Sequence, residues 1–243
     1  MTRGIWGFGP GDSSAAVRGW GLRLLLGAVW LAALALPSFA GEQRDEGDPP
    51  ALRIGVRVVS YVPVPREEMA EALEEATLLF ARVGVETQWV LCGASVEESE
   101  MPAACDTPLE RGELALRIVP DPKGMPSTSR DALGHAMVLP RAQDSYLASL
   151  FYDRVQSLAE DARCLRAVVL GHAMAHELGH LLLGTLEHSS QGLMRGRWDG
   201  EDLGLAQRRS FRFMPQQVEQ IRAGLRARLR ARQASLRDAA KVF

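Results

Sequence analysis

The sequence predicts an α+β fold, a β-sheet packed on helices, and three observations carry that expectation. Residues 51–92 read strand, helix, strand, because a period-two run rich in β-branched residues gives way to a period of 3.6 and then returns. Short apolar runs at 114–119, 133–139 and 147–155 add further strands. From Val168 the chain turns into a long apolar helical stretch, and a last amphipathic helix follows from Pro215.

Residues 1–40 stand apart from this fold. Arg3, Arg18 and Arg23 precede an apolar run at 24–36, and Ser38 and Ala40 are small residues at the two positions a signal peptidase inspects, so this stretch reads as a signal peptide cleaved after Ala40. The alternative is an uncleaved anchor, against which stand a run shorter than the roughly 20 residues of a membrane span and a polar exit. Residues 41–50 form an acidic linker, and 51–243 form one domain of which 215–243 is a C-terminal helix and basic tail. The expected location is secreted or periplasmic, with no stable membrane insertion after cleavage.

Within the domain, Leu52, Ile54, Val56 and Val58 alternate along the first strand. Pro65 opens a helix in which Met69, Leu73, Ala76, Phe80 and Val83 recur at helical spacing, and Gly84 stops it. Residues 86–92 return as a second strand after a short loop, as a β-α-β crossover does. The strands at 133–139 and 147–155 are separated by a polar turn around 141–145, and the last helix carries Val218, Ile221, Leu225 and Leu229 on one face with Arg222, Arg226, Arg228, Arg230 and Arg232 around it.

Charge excludes one class of partner. The full chain has a formal net charge of −2, and without residues 1–40 the balance is −4, which argues against nucleic acid. The distribution is uneven, +7 over 195–243 against −11 over 41–194, the pattern of a solvated basic helix folded against an acidic domain or of an anionic surface partner.

The three cysteines fit an oxidising compartment. Cys92 and Cys105 bracket a polar loop and are expected to be bridged, while Cys164, among Ala162, Leu165 and Val168, reads as a small buried hydrophobe that stays reduced.

The chemistry concentrates between Val168 and Trp198. HELGH, residues 176–180, places two histidines four apart and therefore on one helix face, where both imidazoles reach one metal ion, a zinc-site signature. Glu177 follows the first of them, the position from which a carboxylate serves as general base on a metal-bound water. Gly184 comes next, and His188 is a third imidazole within reach. Three protein ligands leave one position open, which distinguishes a catalytic zinc from a structural one. His172, one turn before His176, reads either as an alternative ligand or as a core histidine bonded to backbone, and the second reading is favoured.

HELGH followed by Gly184, His188, Ser189 and Gly192-Leu193-Met194 resembles the metzincin zinc endopeptidases, and among them the matrixin branch. The resemblance implies His176, His180 and His188 as zinc ligands, Glu177 as base and Met194 as the methionine of the turn beneath the metal. It also implies a twisted mixed β-sheet packed on a helix and on the long zinc-binding helix, with peptide or protein as substrate. By the same likeness, strand residues 134–136 form the edge above the cleft, and His135 is similar in place to a matrixin histidine that holds a second, structural zinc. The companion histidines of that site are absent here, so His135 is expected to be an exposed edge residue with no second metal beside it. This chain departs from the family pattern in spacing, HExxHxxxGxxxH, so the path from helix to third histidine is two residues longer. Tyr152 and Trp198 are further candidates near the cleft on position.

Two other readings compete. A gluzincin-type peptidase would take Glu201 as third ligand from a downstream helix, although RWDGEDLG is rich in glycine for a helix. A non-catalytic exported domain would keep zinc for stability, a role that needs no Glu177.

Overall fold

Alternation along the first strand sets the inner face of the sheet. In β1 (Leu52–Ser60) the side chains of Ile54, Val56, Val58 and Ser60 are buried while their neighbours are not, so one face meets the core. The computed structural model describes residues 52–121 and 132–241, within the unit Gly47–Phe243. The leader, its cleavage after Ala40 and the acidic linker 41–50 lie outside the described residues.

Helix α1 (Arg66–Ala81) begins after Pro65, and buries Met69, Ala72, Ala76, Leu79 and Phe80. The chain reverses at Gly84, whose φ of 72° suits a residue without Cβ, and enters β2 (Val85–Gly93) parallel to β1. A disulfide between Cys92 and Cys105 ties the following loop to β2, as expected, and Cys164 is free. β3 (Leu114–Val119) lies parallel to β1, and β5 (Leu147–Phe151) parallel to β3. β4 (Gly134–Met137) runs antiparallel to β5 at the edge, giving a mixed sheet of order β2-β1-β3-β5-β4. The α+β mixed sheet therefore matches expectation.

Two segments differ from the sequence reading. The strand expected over 147–155 ends at Phe151, and Tyr152–Asp161 is helix α2. Tyr152, Val155 and Ala159 recur three and four apart and are buried on one side, a helical period that the adjoining apolar strand masked. The glycine-rich stretch before Leu205 also forms a helix, α4 (Gly200–Gln207). Asp199 accepts from the backbone N–H groups of Glu201 and Asp202, and Asp202 caps back on Asp199, a capping box that offsets the two glycines.

Helix α3 (Arg166–Leu183) crosses the core with every residue from Ala167 to Leu182 buried. Close approach to α1 needs Gly171, where a Cβ would stand 2.5 Å from the Ala72 carbonyl oxygen. The C-terminal helix α5 (Pro215–Ala239) packs Ile221 and Leu225 inward, as its periodicity predicts. Arg228, expected among the solvated arginines, is instead buried, with Nη2 donating to the carbonyls of Ala142 (2.9 Å) and Ser145 (2.6 Å). No helix among the described residues is long and apolar enough to cross a membrane.

Candidate metal centre

Helix α3 carries the site because its burial leaves the imidazoles few partners other than backbone and each other. Gly184 ends the helix in the left-handed conformation, φ 70°, and its N–H donates to the His180 carbonyl at 2.9 Å. This turn brings the Thr185 carbonyl to the His180 ring, whose Nδ1–H donates to it at 2.8 Å. His176 Nδ1–H donates likewise to the Leu193 carbonyl at 2.8 Å. Both rings are thereby fixed in the tautomer whose Nε2 carries a lone pair.

Those two Nε2 atoms face each other at 3.1 Å. Burial, then neighbouring imidazoles, lower the His176 pKa to about 3; burial above all lowers that of His180 to about 4, so at neutral pH neither nitrogen supplies a proton. Two buried lone pairs in contact repel unless a cation sits between them. Their separation is close to the roughly 3.3 Å expected between two imidazole nitrogens on one tetrahedral zinc with bonds of about 2.0–2.1 Å. His188 completes the group: its ring centroid lies 5.4 Å from that of His176 and 4.9 Å from that of His180, and one ligand atom of each of the three falls within 4.8 Å of the others. Partial burial lowers the His188 pKa as well. The donor set fits a metal ion of the imidazole-loving kind, zinc among them.

Glu177 faces the same cleft, a cavity of about 590 Å³ that His135, Leu133 and Trp198 also line. The side chain is only 5% exposed, Oε2 has no hydrogen-bond partner among the described residues, and burial raises the carboxyl pKa to about 8. A cation beside it favours the carboxylate and opposes that shift.

The turn beneath the imidazoles is built from 188–195. Gly192 has φ 71°, Leu193 N–H donates to the Arg212 carbonyl, and Ser189 N–H donates to the Met194 carbonyl, both at 2.9 Å. Met194 is fully buried against Gly179, where a Cβ would stand 2.7 Å from the sulfur, so the small residue inside HELGH is what admits the methionine.

The remaining candidates separate. Trp198 sits edge-on to His176 at 5.7 Å. Tyr152 turns away from the cleft, its hydroxyl donating to Glu68 at 2.8 Å, because α2 replaces the expected strand. His172 is a core residue, Nδ1–H donating to the Val168 carbonyl at 2.8 Å and the ring packed on Phe211. Glu201 is exposed in the first turn of α4, and among the described residues the metal-capable group contains His188 and not Glu201. The carbonyls of Leu193 and Thr185 that orient the rings left no trace in the sequence, since any residue supplies a carbonyl.

No family model matches the chain, and no curated protein matches it. Among solved structures it is similar to the crystal structure of archaemetzincin from Methanopyrus kandleri, with 15% sequence identity and a TM-score of 0.49 over 73% of this chain and 98% of that one.

Proposed function

We propose that the chain is an exported zinc-dependent endopeptidase of metzincin type, with the lengthened motif HExxHxxxGxxxH, acting on protein or peptide. The observation that carries this reading is the pair of carbonyl-tethered imidazoles with opposed Nε2 lone pairs, next to a buried carboxyl group whose Oε2 has no hydrogen-bond partner among the described residues. His176, His180 and His188 would hold the ion. Zinc in that position supplies Lewis acidity, polarising a substrate carbonyl and making water acidic near neutral pH.

The chain's own residues supply the rest. Glu177 accepts the proton of the attacking water at a carboxylate oxygen and delivers it to the departing amine nitrogen. Burial of the carboxylate in a cleft walled by Leu133 and Trp198 limits competing water and strengthens its electrostatics. A zinc site kept for stability alone gives no reason to bury a carboxyl group there with one oxygen unpartnered among the described residues. Export rests on the leader and on the Cys92–Cys105 bridge, which belongs to an oxidising compartment.

The test compares two variants on a casein or quenched-peptide substrate. Glu177→Gln is expected to retain zinc and lose hydrolysis by about two orders of magnitude or more. His188→Ala is expected to weaken zinc binding itself. Hydrolysis by Glu177→Gln at the parent rate would overturn the role of the base.

A further inference from the structure

His188 reaches the cluster by a path two residues longer than the family pattern, and among the described residues no hydrogen bond orients its ring as carbonyls orient those of His176 and His180. A bare backbone lies against it instead. A Cβ built on Gly196 would stand 2.9 Å from His188 Cγ, 3.1 Å from Nδ1 and 3.3 Å from Cβ, well inside the roughly 3.5–4.0 Å of a carbon contact.

We propose that Gly196 is a positioning residue for the third zinc ligand, the surface on which the His188 imidazole rests so that it faces His176 and His180. The inference depends on His188 being that ligand. Backbone conformation is not the reason for glycine here, because Gly196 is not among the residues with positive φ. What position 196 needs is the absence of a side chain on the ring side.

The segment cannot readily retreat from an added methyl. Arg195, the preceding residue, is anchored by Nη1 to Asp199 (2.8 Å) and Asp202 (2.5 Å), and it forms a bridge with Ser189, the residue after His188. Trp198, two residues on, is buried edge-on to His176. The exposed His188 ring is therefore the part that yields, and its movement carries its ligand nitrogen away from the other two imidazoles. Gly200 offers a contrast four residues later, since a Cβ there meets nothing within 4 Å.

The experiment measures zinc affinity by chelator competition, with thermal unfolding of the metal-free protein alongside, for the parent, Gly196→Ala, Gly200→Ala, His188→Ala and the double variant His188→Ala/Gly196→Ala. Gly196→Ala is expected to weaken zinc binding by about tenfold to a hundredfold, the scale of a lost orienting partner, while Gly200→Ala binds as the parent does. In the His188→Ala background the second substitution should add nothing, because the ring it would strike is gone. Parent-like zinc affinity in Gly196→Ala overturns the inference, and so does an equal loss in both backgrounds. If Gly196→Ala fails to fold, a folded double variant still identifies the ring as the obstacle, whereas failure of both refutes it. Undiminished zinc affinity in His188→Ala would bring down the ligand reading itself, a result distinct from a failure at Gly196 alone.

Discussion

The carboxyl group of Glu177 lies against the bare Cα of Gly134: a Cβ there would stand 2.7 Å from both Cγ and Oε1 of the glutamate. The edge strand and the helix thus meet at a glycine, and this contact, together with the Ser149 carbonyl 2.6 Å from the same Cβ position, sets where the carboxylate sits in the cleft.

Gly134→Ala should therefore displace the carboxylate without touching an imidazole. Peptide hydrolysis is expected to fall by about one to two orders of magnitude, the scale of a displacement near 1 Å, while zinc content stays that of the parent. Equal hydrolysis by the two proteins would show that the cleft tolerates the methyl and that the contact places nothing.

Stability of the metal-free protein should carry the signature of Glu177. Its carboxyl pKa in the folded chain is raised by burial from 4.5 to about 8, so the contribution is fully present below the unfolded value and is lost as pH rises through about 8. Glu177→Gln cannot ionise there. Thermal unfolding of both chelated proteins from pH 5 to pH 9 should show the variant gaining on the parent as pH rises, and a constant difference would contradict it. Below pH 6.5 both should weaken together, because the depressed pKa values of His176 and His180, about 3 and about 4, make protonation favour the unfolded chain.

The Cys92–Cys105 bridge closes a short loop, at a sequence separation of 13. Replacing both cysteines with alanine should cost about 3 kcal/mol on the chain-entropy scale, read as a lower denaturation midpoint with zinc affinity unchanged. Mass mapping of unreduced peptides that placed Cys164 in a bridge would contradict the pairing.

Arg228 is 2% exposed and burial lowers its pKa to about 10. Arg228→Leu leaves the Ala142 and Ser145 carbonyls without their donor, at an expected cost of about 2–3 kcal/mol. The same turn contacts the end of α3, where a Cβ on Gly184 would stand 2.5 Å from that of Ala142. Urea unfolding measures the loss; an unchanged midpoint would mean that the turn closes over its own carbonyls without the guanidinium.

The sequence by itself determined what depends on neighbours along the chain. The four-residue step from His176 to His180 places two imidazoles on one helix face whatever surrounds the helix, and alternation in β1 and the heptad-like face of α5 depend only on local periodicity. Tertiary structure decided what depends on distant backbone. Val155 lies in a helix because Tyr152 and Ala159 find a buried side there, and Arg228 is internal because two carbonyls of a remote turn await a donor. The longer route to His188 closes on the other two imidazoles because Gly192, Met194 and Arg195 fold the chain back beneath them. Spacing along a sequence fixes direction only while the chain remains in one regular element, and beyond Gly184 direction belongs to the packing.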